Sequence, residues 1–80
     1  MDDATILQLV SELTDEEQRL EASHLNAPLS GDGLARLRQI EIELDQCWDL
    51  LRQRRARRAA GEDPDEATVR PAEVVEKYLQ

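Results

Sequence analysis

Leu34-Ala-Arg-Leu-Arg-Gln-Ile-Glu-Ile-Glu-Leu-Asp-Gln-Cys-Trp-Asp-Leu-Leu51 is the stretch that decides the fold. Its apolar residues Leu34, Leu37, Ile40, Leu44, Cys47, Trp48 and Leu51 recur at the spacing of helical turns, which places them along one side of a helix. Ile42 and Leu50 are displaced from that side. Upstream, Ile6, Leu9, Leu13 and Leu20, with Val10 beside them, mark a second one-sided stretch from Ile6 to Leu25. The two are separated once, by Asn26-Ala-Pro-Leu-Ser-Gly-Asp-Gly33. There Pro28 disfavours helical geometry at Ala27, Ser30 is a good N-cap, and Gly31 and Gly33 loosen the approach to the next helix.

These signals predict helices over about 4–26 and 31–60. Asp2 or Asp3 caps the first, because a short carboxylate accepts free amide hydrogens and matches the positive end of the helix dipole. Thr14-Asp-Glu-Glu17 also reads as a capping box, but no Gly or Pro supports a break there. The second helix continues through the arginine run to Gly61, a natural stop. Beyond it lies a polar connector, 61–70, in which Asp63, Pro64 and Glu66 can form one helical turn. Pro71 opens a short C-terminal helix, 71–80, with Val74, Val75, Tyr78 and Leu79 on neighbouring faces; so short a helix is stable only when docked.

A short connector makes the two long helices antiparallel, so residues whose numbers sum to about 58–60 should face each other. Leu20 then lies near Ile40, Leu13 near Cys47, and Leu9 with Val10 near Trp48 to Leu51. The same register sets Asp2 and Asp3 beside Arg57 and Arg58, and Glu21 beside Arg36 and Arg38. Exposed ion pairs of this kind contribute about 0.2–1 kcal/mol each, enough to select a register and too little to hold a fold. An 80-residue chain buries a small fraction of its surface, and a two-helix hairpin less still. The expected architecture is therefore all-α: an antiparallel two-helix hairpin plus a short C-terminal helix, pairing with a second copy into a four-helix bundle. Leu13, Leu20, Leu37, Ile40, Leu44, Cys47, Trp48 and Leu51 are its candidate interface or core anchors.

Composition excludes several classes. With 35% charged residues, no Phe, one Trp, one Tyr and three Gly, the chain lacks the aromatic and turn residues of a closed β structure. A single Cys47 cannot form an intramolecular disulfide, and Met-Asp-Asp-Ala-Thr at the N-terminus has no leader character. A reducing cytoplasm is the expected location. No window approaches the roughly 18 apolar residues of a spanning helix, so no membrane association is expected. Net charge is −8, yet Arg52, Arg54, Arg55, Arg57 and Arg58 hold five of the ten Lys and Arg residues.

That run is the strongest local anomaly. As a functional feature it would contact phosphate or an acidic partner; as a structural one it is favourable near a helix C-terminus and is neutralised by Asp2, Asp3, Glu62, Asp63, Asp65 and Glu66. Nucleic-acid binding is disfavoured by the net acidity and by the lack of an interleaved stacking aromatic. Glu21-Ala-Ser-His24 matches the Glu-x-x-His spacing of carboxylate-bridged di-iron bundles, with Glu41 as a third ligand, but the chain has one His and the register sets Glu41 nearer Arg19. No metal or other cofactor is expected. Cys47 reads as a buried thiol and Trp48 as an interface or core anchor. Glu16, Glu17, Glu41 and Glu43 read as a solvated charged face. No phosphate loop, Ser-His-Asp set or zinc-type spacing is present, so no catalytic residue is assigned and no enzyme is expected. Asp45, Gln46, Asp49 and Gln53 are polar beside the Trp48 face, beyond what a simple bundle needs. The tail is therefore expected to fold back over the second helix, with Tyr78 or Leu79 near Trp48 or the arginine end.

Leu44-Asp-Gln-Cys-Trp-Asp-Leu-Leu-Arg-Gln-Arg-Arg-Ala56, then Gly61-Glu-Asp-Pro-Asp65, Val69-Arg-Pro71 and Val75-Glu-Lys-Tyr-Leu-Gln80, carry a resemblance. Over essentially its full length the chain resembles a family of small actinobacterial proteins classed as a domain of unknown function. The resemblance implies a cytoplasmic helical protein and brings no activity, ligand or catalytic residue. The leading expectation is a homodimeric binding or scaffold module for a protein partner; the alternatives are nucleic-acid association through Arg52 to Arg58 and, more distantly, a metal-binding bundle.

Overall fold

The computed structural model describes residues 1–77, with positions 25 and 26 described by their backbone alone. Helix α1 spans Asp3–Asn26, α2 spans Gly31–Ala59, a 3-10 turn spans Pro64–Glu66, and α3 spans Ala72–Lys77; no strand occurs among the described residues. The all-α hairpin with a short third helix is thus the architecture of the chain. Tyr78 and Leu79 lie outside the described residues.

Each end of the long helices is closed by a residue suited to it. Asp2 is the N-cap of α1, its carboxylate accepting from the Thr5 amide at 2.8 Å. Ser30 caps α2, its hydroxyl accepting from the Gly33 amide at 3.1 Å. These bonds satisfy amides that a helix N-terminus leaves without intrahelical partners. At the other end of α2, Gly61 adopts a positive φ of 75° and donates to the Arg58 carbonyl, while Glu62 donates to that of Arg57 at 2.8 Å. This is the Schellman arrangement that a left-handed glycine permits. Helix α1 passes through Thr14 without a break.

The core lies between the long helices. Ile6, Val10 and Leu13 of α1 meet Ile40, Cys47 and Leu50 of α2, with Leu9, Leu20, Leu44, Leu51 and Ala67 packed around them. Leu50, displaced from the face in the sequence reading, is buried in the α1–α2 cluster, with Val69 of the tail lining the same cavity. From Gly61 the chain turns back and runs along α2 against its direction. The Thr68 carbonyl accepts from Gln53 and the Arg70 carbonyl from Gln46, and Val75 of α3 is fully buried. Helix α2 therefore buries two sides, one on α1 and one on the returning tail.

Candidate functional site: the arginine end and the uncovered side of α2

The arginine run divides by helical position. Arg54 points inward and is only 5% exposed. Its guanidinium donates to Asp3 at 2.5 Å, to Asp65 at 2.9 Å and to the Pro64 carbonyl at 3.1 Å, so one side chain joins α1, α2 and the 3-10 turn. A guanidinium with several donors in a fixed fork suits this three-way role better than an ammonium would. Arg58 reaches the second oxygen of Asp3 at 3.0 Å. Arg57 lies 3.7 Å from Glu62 and 3.5 Å from Glu66. Arg52 lies 3.9 Å from Asp49 at the surface. Among the described residues, Arg55 has no carboxylate within ion-pair distance.

Asp3 is held below the ordinary carboxylate range, first by its bond from Arg54 and then by that from Arg58. Asp2 and Asp63 serve as caps and make no ion pair with the run, though Arg54 adds to the lowering of the Asp2 pKa, which is due first to the bond from Thr5. The paired arginines leave Arg52 and Arg55 as the cations most open to a partner.

Polar residues beside the run hold the tail. Asp49, 1% exposed, takes a bidentate ion pair from Arg70 and a further bond from Gln53 at 3.0 Å. Its pKa is lowered chiefly by the Arg70 bond, against the opposing effect of burial. Gln46 and Gln53 cap backbone carbonyls of a segment that has no ladder partner of its own. The positions Gln46, Asp49 and Gln53 follow helical spacing, which was the legible part of this signal. Arg70 and Val75 as the other half of the contact were not foreseen, since a lone Arg in a polar connector looks like any solvated residue.

Other expected features fall elsewhere. Arg36 pairs with Glu16 at 2.5 Å, and not with Glu21, because its side chain runs along α2 past Glu43. That contact lowers the Glu16 pKa. Leu9 does meet the stretch Trp48 to Leu51, through Leu50, with which it lines a cavity of about 210 Å³ together with Cys47 and Val69. Cys47 is buried, and burial pushes its thiol pKa up, the opposite of what a nucleophile needs. Glu21, His24 and Glu41 are exposed, and among the described residues no group of three or more metal-ligating side chains converges. Among them, too, no helix is long and apolar enough to cross a membrane.

Trp48 is not a core residue of the single chain, being 46% exposed. With Leu51, Asp3, Arg52, Arg55 and Arg58 it lines an open groove of about 420 Å³ between the N-terminus of α1 and the C-terminal half of α2. Leu37, Leu44 and Leu51 near it are half-buried, and Leu7 and Leu34 are 50% and 52% exposed. The tail packs on Gln46, Asp49 and Gln53, which are roughly 100° or more of helix rotation from Trp48. Among the described residues, one side of the hairpin is thus covered by the tail and the other is not.

Comparison with known proteins agrees with the resemblance. The chain is 52% identical over 77 residues to uncharacterized proteins of Mycobacterium bovis and Mycobacterium tuberculosis, covering 95% of this chain and 88% of each relative. No solved structure matches it. The model of the family described as "Protein of unknown function (DUF2630)" matches residues 2–80, and the chain belongs to that family.

Proposed function

We propose that this protein is a non-catalytic helical scaffold that works as a homodimer and presents a charged surface to a protein partner. The observation that carries the reading is Trp48, 46% exposed among half-buried leucines on a side of α2 that no element covers among the described residues. Exposed apolar surface that is contiguous and rimmed by charge marks an association site, whereas singly scattered residues do not. Tryptophan and arginine are also among the residue types most enriched in interface hot spots. The tail supports the same reading, since its described residues close one side of the hairpin and leave the other free.

The alternatives have less support. Arg54, Arg57 and Arg58 are committed to carboxylates of this chain, so only Arg52 and Arg55 remain for phosphate binding. Each arginine so committed takes about 0.9 off the salt slope that nucleic-acid binding could show. A buried thiol with a raised pKa and an exposed, distant histidine give no nucleophile and base pair.

Light scattering and sedimentation at micromolar protein test the reading. The expected mass is twice the 9.1 kDa of one chain, with a melting temperature that rises with concentration. A single-chain mass with a melt independent of dilution would overturn it.

A further inference from the structure

The geometry points to a self-complementary seam: the side of the hairpin that no described element covers takes a second copy of this chain in an antiparallel, two-fold arrangement centred near Trp48. This rests on the homodimer reading above and names how that dimer is built. On α1, Asp3, Leu7, Val10, Thr14, Glu17 and Glu21 follow one another at alternating steps of four and three. On α2, Leu37, Glu41, Leu44, Trp48, Leu51 and Arg55 do so at alternating steps of four and three. Such rows are the seams of packed helices. The groove shared by Asp3, Trp48 and Arg55 shows that both rows open on the same side.

Charge along this side is sorted. Glu17, Glu21 and Glu41 stand toward the α1–α2 connection, Arg52 and Arg55 toward the other end, and Leu44, Trp48 and Leu51 between them. A two-fold axis through the apolar middle sets the acidic end of each copy on the basic end of the other, twice over. A parallel pair would instead set Arg55 on Arg55 and Glu41 on Glu41. An isologous contact needs one patch that complements itself, and this side supplies it. The same seam gives carboxylates to Arg55, which has none within ion-pair distance among the described residues, and to Arg52, whose contact with Asp49 is long at 3.9 Å. It also covers Trp48, the sole tryptophan.

The test uses the full chain and two variants at exposed positions, R52E/R55E and E21R/E41R, with helicity checked by circular dichroism. Dimerisation is read by sedimentation and by the blue shift of Trp48 emission on raising concentration. Each variant alone should raise the dimer Kd by about tenfold or more, since like charges then face each other at both ends. An equimolar mixture should regain dimer to within about threefold of the wild-type Kd, because the two variants complement one another. Long-range repulsion predicts the reverse for E21R/E41R, which carries less net negative charge and on that ground alone would pair more tightly. A wild-type dimer whose Kd neither variant weakens would overturn the seam and leave the homodimer reading standing. A wild-type chain that stays monomeric at every concentration would overturn both and give the bare side to a different protein partner.

Discussion

Asp49 holds a full negative charge at a position 1% exposed, and it does so because Arg70 arrives from the tail with two donors. A buried carboxylate without its chief partner is strongly penalised, whereas replacing both partners by apolar groups is far milder. R70M is therefore expected to destabilise the protein by about 1–3 kcal/mol, toward the low end because the Arg70 side chain is 36% exposed and water can enter. Adding D49L to R70M should recover part of that deficit, and urea unfolding of the four chains in a double-mutant cycle measures the coupling. Additive effects would mean that the ion pair does not fasten the tail. Ile40, fully buried between the long helices, gives a plainer case: I40A should cost about 2–5 kcal/mol by the same measurement, from reduced burial and an unfilled cavity. Cys47 adds a chemical reporter. Its thiol is buried with a raised pKa, so at neutral pH a thiol-specific reagent should react slowly with the native protein and rapidly after denaturation in urea. Equal rates in both states would show that the α1–α2 core is open.

At the scale of elements, the helix ends are where chain chemistry is most easily isolated from packing. Gly61 has φ 75°, and a Cβ built there meets nothing within 4 Å, so G61A carries conformational strain without a clash. Its expected cost is about 1–2 kcal/mol, read as a lower melting temperature. S30A removes the α2 cap and should cost about 1 kcal/mol. The limits of α1 and α2 were legible because caps, Pro28 and Gly61 act through local geometry that neighbours cannot overrule. The register was partly legible. Asp3 meets Arg58, as antiparallel pairing required, but its closer partner is the buried Arg54, and Arg36 reaches Glu16 over more than a helical turn. Long flexible side chains blur any register argued from residue numbers. The tail was legible as a need and not as a contact: Gln46, Asp49 and Gln53 announced a polar partner on α2, but nothing local to Arg70 or Val75 distinguished them as that partner. The candidate site divides in the same way. The arginine run and Trp48 stand out in sequence, but which arginines are consumed internally depends on Asp3 and on the turn Pro64–Glu66, both distant along the chain.

For the whole molecule, acidity and stability are linked through the carboxylates that fasten its parts. Asp2 caps α1, Asp3 ties α1 to α2 through Arg54, Glu16 ties them again through Arg36, and Asp49 holds the tail; all four have pKa values below the ordinary 3.8 of Asp or 4.5 of Glu. A carboxylate whose pKa is lowered by folding binds fewer protons in the native state than in the unfolded one. Its contribution is fully present above the unfolded value and disappears as pH falls through the folded value. The melting temperature should accordingly drop steeply only below about pH 4, where these groups begin to take up protons. A competing effect acts at higher pH, because a chain of net charge −8 repels itself and gains slightly as its solvated acids are neutralised. The two are separated by D49N, which removes one titrating group and changes little else in shape. Its stability deficit relative to wild type should be constant from neutral pH down to about pH 5 and should shrink below 3.8, as the wild-type Asp49 becomes protonated in turn. A deficit that stays constant to about pH 2 would show that folding does not shift the Asp49 pKa, so that its ion pair with Arg70 adds nothing net to holding the tail.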